Sequence, residues 1–252
     1  MTNCVLLNAK CSALLRLVAI AAVVFSLGTL PSAVFGQSPS AASGIRIGII
    51  GSGKIGSTVG TLWVKAGHSV LFSSRHPEEL KPLVDGLGPL ARAGTVREAL
   101  QFSDAIFVAV PYGAYPQIGK DHAGEFRGKI ILDAGNAVPS RDGNIVEETR
   151  RNGIGVTSAK YLAGARIVRA FNTLNYRTLA REANRPGDRL AIPIAGDDKE
   201  ALAVAARLVR DAGFDPVVIG PLKSAEYFVR GAPLYGQEIT AKETEARLQK
   251  LR

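Results

Sequence analysis

Cysteine is nearly missing from this chain of 252 residues: there are two, Cys4 and Cys11, both close to the N-terminus. Everything downstream is thereby denied a disulfide framework, a thiolate metal site and a cysteine nucleophile. Histidine is as sparse. His68, His76 and His122 are too scattered to match any metal-ligand spacing. Aromatic residues make up 6% of the chain and never interleave with a basic run, so the formal charge of +9 reads as a basic solvated surface, with no nucleic-acid partner. No internal repeat and no low-complexity tract is found. The conspicuous apolar run near the start, Leu17 to Leu27, falls short of the roughly 20 residues a membrane span needs.

That run follows Lys10 and Arg16, contains no charge, and is succeeded by small residues and a break from Pro31 to Gln37. This is the layout of a secretory signal peptide, with Val34 and Gly36 acceptable before a cut at Gln37. Residues 1–36 are expected to be such a peptide or an uncleaved N-terminal anchor, and residues 37–44 a small polar linker. Export to the periplasm or beyond is the expected location, with membrane-anchored and cytoplasmic placements left open. A cleaved chain would hold no membrane span. No twin arginine marks the segment for export of a folded, cofactor-loaded protein.

What is present is glycine, 27 residues of it, set among apolar runs. Ile45 to Ile50 reads as a buried strand, and Gly51, Ser52, Gly53, Lys54, Ile55 and Gly56 follow with the G-x-G-x-x-G spacing of a dinucleotide-binding turn. In that turn Gly51 allows the sharp reversal, Gly53 lets the backbone approach a pyrophosphate, and Gly56 lets the helix pack closely on the strand. A helix to about Ala66 and a second strand, Ser69 to Ser74, complete the unit. Further strands are expected at 104–110, 129–133, 166–170, 190–195 and 216–219, with helices through about Val84 and from Thr95 to about Phe102. Helices also fill 174–183 and 199–212. Strands alternating with helices imply a Rossmann-type α/β fold, a doubly wound and mostly parallel sheet with a small C-terminal extension. Residues 45–236 make up this domain, and 237–252 a charged, exposed helical tail.

Gly48, Gly53 and Lys54 also satisfy the G-x-x-x-x-G-K of a triphosphate loop, but the next position must hold magnesium through Ser or Thr and is Ile55. The end of the second strand then selects the dinucleotide. An NAD site usually places Asp or Glu there, whereas this chain has Ser73, Ser74, Arg75 and His76, and no acid before Glu78. Hydroxyls and a guanidinium hold a 2′-phosphate that a carboxylate would repel, so NADP(H) is the expected cofactor. Val110, Pro111 and Tyr112 after one strand, and Ala134, Gly135 and Asn136 after the next, fall at carboxyl ends of strands, where they are placed to line the nicotinamide ribose and ring. Tyr112 reads equally well as a half-exposed loop aromatic.

The segments Gly51 to Gly56, Ser73-Ser74-Arg75, Val108 to Pro111, Ala170-Phe171-Asn172-Thr173 and Ala195-Gly196-Asp197-Asp198 occur in an order that resembles the coenzyme F420-dependent NADP oxidoreductases. Gly213-Phe214-Asp215, Gly220-Pro221-Leu222 and Pro233-Leu234-Tyr235 extend the likeness over Ile45 to Tyr235. The resemblance implies hydride passing between NADP(H) and a small-molecule electron acceptor, coenzyme F420 or a flavin as co-substrate; a similar domain supplies electrons in transmembrane ferric reductases. No catalytic side chain is required for such a transfer, and none is assigned. Two departures stand out: His76 replaces a second basic residue, and Ala225 to Arg230 differs from the family's Arg-Leu-Glu-Pro-like ending. An imine or 2-oxo-compound reductase of the pyrroline-carboxylate type and a non-catalytic NADP-binding redox sensor stay open, as does a homodimer.

Overall fold

The computed structural model describes residues 44–252. The expected export segment, the linker up to residue 43, Cys4 and Cys11 lie outside the described residues. The first unit is as the glycines require: β1 (Arg46–Ile50), α1 (Lys54–Lys65) and β2 (Ser69–Ser73). His68 closes it, its Nδ1 accepting the Ile45 N–H at 2.9 Å while Nε2 lies 2.9 Å from the Asp211 carboxylate. A turn of 3₁₀ helix and α2 (Lys81–Leu87) lead to β3 (Ala91–Gly94), a strand not among those expected. β3 has four residues, carries an arginine and lies at the sheet edge, so it lacks the apolar run that betrays a central strand.

α3 (Val96–Phe102) starts from a capping box in which the Thr95 hydroxyl accepts the Glu98 N–H and the Glu98 carboxylate accepts the Thr95 N–H. Then come β4 (Ala105–Val108), α4 (Tyr115–Asp121) and β5 (Ile130–Asp133). Three short helices that sequence periodicity did not separate follow: α5 (Pro139–Asp142), α6 (Ile145–Asn152) and α7 (Ile154–Tyr161). The second half closes with β6 (Arg166–Arg169), α8 (Tyr176–Glu182), β7 (Ala191–Gly196), α9 (Lys199–Asp211), β8 (Asp215–Gly220) and α10 (Ala241–Leu251).

All eight strands form one sheet in the order β3-β2-β1-β4-β5-β6-β7-β8. From β3 to β6 every pairing is parallel, whereas β7 runs antiparallel to β6 and β8 parallel to β7. The first six strands thus have the order of a doubly wound dinucleotide-binding sheet. Successive residues of each strand serve opposite faces. Phe107, Leu132 and Val168 join Trp63, Leu208 and Phe214 in one core, while Ile106, Ile131 and Ile167 join Leu100, Tyr115, Ile154 and Leu248 in the other. In the first core the single tryptophan, Trp63, meets Phe107 and Phe171 edge-on at 5.2 and 5.8 Å and donates its indole N–H to the Leu208 carbonyl.

Because β8 runs against β6, the chain leaving it climbs back. The segment after Gly220 reaches the carboxyl edge of β6, where the Phe228 carbonyl accepts from Asn172 at 2.9 Å and the Gly236 N–H donates to the Thr173 carbonyl at 3.0 Å. The charged C-terminal helix is exposed over most of its length but is anchored along one side. α10 buries Thr244 and Leu248, and the strand-like link before it gives the Ile239 carbonyl to the Ala191 N–H at 2.8 Å. Among the described residues, no helix is long and apolar enough to cross a membrane.

Candidate functional site

The carboxyl ends of β1, β2, β4, β5 and β6 share one edge of the sheet, and the residues singled out by sequence lie there. Gly51 has φ of +97°, and a side chain at that position would run into the Ala109 carbonyl oxygen at 2.8 Å. A Cβ on Gly56 would strike the Gly51 carbonyl oxygen, so the first and third glycines are demanded by the protein itself. Gly53 is different. It has ordinary extended backbone, and a Cβ there would meet nothing within 4 Å. The open space beside it fronts the N-terminus of α1, which has no side-chain cap and no acid in its first turn, and so leaves room for a phosphate to approach the helix. This clearing is the observation by which the residues present fit a dinucleotide.

The contrast predicts a separation of effects. Gly53→Ala is expected to keep the thermal midpoint of the wild type and to weaken NADPH binding at least about tenfold, because the new methyl occupies the approach to the pyrophosphate. Gly56→Ala is expected to lose stability as well as binding. Melting curves and NADPH titrations of both variants check this; equal destabilisation by the two would contradict it.

Ser52 turns its hydroxyl back into the protein, donating to the Ser73 carbonyl at 3.0 Å, and Ile55 packs against the first core. Lys54 is exposed, with its Nζ 5.2 Å from the centroid of the Tyr176 ring, which Arg177 approaches to 5.3 Å. Tyr176 and Arg177, unmarked in the sequence, thus stand at the mouth of the glycine turn.

The expected phosphate clamp needs one correction. Ser73 is fully buried and donates its hydroxyl to the Ile49 carbonyl at 2.6 Å, so it fastens β2 to β1 and is not available to a phosphate. Ser74 is the next residue and faces the other way. Its N–H donates to the Gly94 carbonyl of β3 at 3.3 Å, and its hydroxyl oxygen accepts the His76 N–H at 3.1 Å, leaving the hydroxyl proton free to donate. Arg75 is exposed and has no ion-pair partner among the described residues, whereas the His76 ring lies 3.5 Å from Glu78. Ser74 and Arg75 are thus left available to a phosphate, whereas His76 faces Glu78.

On the nicotinamide side Val110 is half-buried and Pro111 exposed, but both readings of Tyr112 fail. Tyr112 is fully buried, stacked on Tyr115 with ring centroids 4.3 Å apart, and its hydroxyl lies 2.9 Å from the Ile154 carbonyl and 2.8 Å from the Ser158 hydroxyl. Burial and the Asp133 carboxylate push its pKa upward, which keeps it neutral. It supports the loop without lining the ring. Ala134 is half-buried and continues the sheet by donating its N–H to the Val108 carbonyl. Gly135 is buried over a charged centre that the sequence reading missed. The Arg169 guanidinium lies 2.7 Å from the Asp133 carboxylate, both side chains fully buried, and Asp133 also accepts from the Tyr115 hydroxyl at 2.5 Å and the Gly135 N–H at 2.9 Å. Arg169 donates onward to the Gly135 carbonyl. Asp133 and Arg169, each ending the apolar part of its strand, were the available signal, since a buried charge needs a partner.

Asn136 stands at the centre of this edge. Its Nδ2 donates to the Asn172 carbonyl at 2.8 Å, and Arg141 donates to its carbonyl at 2.8 Å. Buried Asp142 ties that loop to the one after β4, accepting from the N–H groups of Val138 at 2.7 Å and Gly113 at 3.0 Å. Burial raises the Asp142 pKa, but the Arg141 guanidinium and these N–H groups outweigh it and hold the carboxyl below its usual value. After β6, Phe171 adopts a left-handed backbone, φ +59°, held by ring contacts with Trp63, Phe107 and Phe214. Asn172 and Thr173 beyond it are 4% and 3% exposed, and each keeps one polar side-chain atom without a partner. Strain and unsatisfied polar atoms concentrate at functional sites, and here they coincide at the carboxyl edge. Beside Asn136 a cavity of about 310 Å³ opens between α6, α7 and the returning segment at Glu226 to Gly231. Among the described residues no group of three His, Cys, Asp or Glu side chains is placed to hold a metal.

Fold and site together define an NADP-oxidoreductase-type dinucleotide-binding domain. Residues 46–137 match the model of the family described as NADP oxidoreductase coenzyme F420-dependent. The chain is 32% identical over 185 residues to the rat (Rattus norvegicus) metalloreductase STEAP3, a match covering 71% of this chain and 35% of that protein. It spans about a third of the length of the curated relatives it matches, 35% in each case. Among solved structures, SMa0349 from Sinorhizobium meliloti superposes with a TM-score of 0.68 at 28% identity, over 78% of this chain and 95% of that one. A protein from Arthrobacter sp. fb24 assigned as an f420 dependent nadp-reductase shares the fold with a TM-score of 0.62 at 21% identity, over 72% and 87% of the two chains. These likenesses support the class of NADP-dependent oxidoreductases and leave the acceptor unspecified.

Proposed function

We propose that the protein passes hydride between NADP(H) and a flavin-type electron acceptor, coenzyme F420 or a flavin, seated in the cavity beside Asn136. One adjacency carries this reading: the loop after β5 serves both the sheet edge on which the nicotinamide half lies in this fold class and the wall of that cavity. When bound, NADPH supplies the hydride. The chain supplies position. The glycine turn and α1 hold the pyrophosphate, Ser74 and Arg75 the 2′-phosphate, and the linked loops of Asn136 and Asn172 fix the floor on which two rings can meet. The apolar lining from Ala137, Val146, Ile154 and Val229 excludes water. Ring-to-ring hydride transfer asks nothing further of the protein, because the chemistry resides in the two cofactors. Orientation of this kind lowers a barrier by several kcal/mol.

The test is NADPH oxidation, followed by its absorbance, against a panel of deazaflavin, flavin and ferric acceptors. Turnover is expected with the ring acceptors and little with ferric chelates alone. Tight NADPH binding with no turnover on any acceptor would reject hydride transfer in favour of a non-catalytic NADP sensor.

A further inference from the structure

Resting on the acceptor site just proposed, we infer that the acceptor carries an anionic group, phosphate or carboxylate, which Arg230 and Arg150 bind at the cavity rim. The cavity wall contains three charged side chains, Arg150, Glu226 and Arg230. Glu226 is committed to the protein, accepting the Ile154 N–H at the start of α7 at 2.8 Å. Arg150, 61% exposed, pairs with Glu147 one turn earlier on its own helix. Arg230 is exposed and has no ion-pair partner among the described residues. It is therefore an unpaired cation on the rim of a slot lined mainly by Ala137, Pro139, Val146, Ile154 and Val229, with Asn136 and Thr149 as its polar contributions and Glu226 as the one carboxylate in the wall. A volume near 310 Å³ lies in the range of small-molecule sites.

An apolar slot with a guanidinium at its mouth selects a flat, uncharged ring with an acidic tail: the ring enters and the tail stops at the rim. Two guanidiniums present forked donors, the geometry that matches a phosphate or carboxylate. Arg150 turns to such a group by releasing Glu147, an exposed i, i+3 pair that contributes little. Arg230 also lies in the stretch, Ala225 to Arg230, where the sequence leaves its family's pattern.

Riboflavin, FMN and lumiflavin-3-acetate separate the possibilities, since they share the ring and carry no charge, a phosphate and a carboxylate respectively. Binding is read by quenching of flavin fluorescence with NADP⁺ present, and turnover by NADPH oxidation. The wild type is expected to bind FMN about three- to tenfold more tightly than riboflavin, and about 0.5 M salt is expected to erase most of that gap. Arg230→Gln should close the gap, Arg230→Lys should keep much of it, and neither should change the KM for NADPH. Preference for FMN over the carboxylate analogue identifies phosphate as the tail, and the reverse order identifies carboxylate. Equal affinity for riboflavin and both anionic flavins, or no binding of any of them, overturns the inference. The hydride reading is judged separately: turnover with indifferent affinities leaves it standing while this inference falls, and tight, Arg230-dependent FMN binding without turnover does the opposite.

Discussion

Asp133→Ala is expected to lower the unfolding free energy by about 3–5 kcal/mol, because it leaves the Arg169 guanidinium charged, fully buried and unpaired. The Tyr115 hydroxyl and the Gly135 N–H lose their acceptor at the same time. With a urea slope of roughly 1–3 kcal/mol per molar, the denaturation midpoint should fall by more than about 1 M. Removing both charges is a different experiment. Asp133→Leu combined with Arg169→Met replaces the pair with apolar volume and should recover most of the loss, since an ion pair withdrawn from water gains little net stability. If the single substitution costs less than about 1 kcal/mol, the pair is not the strut described here. The consequence for the site is direct, because Gly135 and Asn136 ride on this pair: a variant still folded at low temperature should bind NADPH more weakly than its residual stability explains.

Arg75→Ala is expected to weaken NADPH binding by about 10–100-fold while changing NADH affinity less than about twofold. The basis is a charge-assisted hydrogen bond to the 2′-phosphate, which NADH lacks. Arg75 is exposed, so the difference should shrink as salt is raised. Titration of both nucleotides into wild type and variant at two ionic strengths measures it. Equal losses for NADPH and NADH would remove Arg75 from phosphate recognition and leave the helix terminus and Ser74 to explain the cofactor.

The first strand, the glycine turn and α1 were legible because their constraints are local. Each glycine's neighbour lies within the same few residues or on the adjacent strand, and the apolar run of β1 needs no partner to be seen. The helix start at Thr95 was legible for the same reason. Ser73 and Ser74 were not separable, because strand register alone decides which of two identical side chains faces inward. Tyr112 was unreadable, since its partners Ile154 and Ser158 lie more than 40 residues on, in α7, a helix too short to announce itself by periodicity. β3 escaped notice although it anchors the backbone of Ser74. The Asp133–Arg169 pair joins neighbouring strands from segments 36 residues apart and showed only as two charges at the ends of apolar runs. What sequence conveyed well was therefore the half of the site that grips phosphate; the half that seats the rings depends on contacts between distant segments.

Trp63 gives the molecule a gauge of its own. It is the sole indole in the chain, sealed in the core, and it touches the ring of Phe171, whose backbone opens the loop of Asn172 and Thr173. Any event that reseats that loop moves an aromatic edge against the one strong intrinsic fluorophore. Its emission can therefore follow occupancy of the ring side of the site without a label, at a wavelength set by a dry environment, and the shift to red on denaturation fixes the other end of the scale.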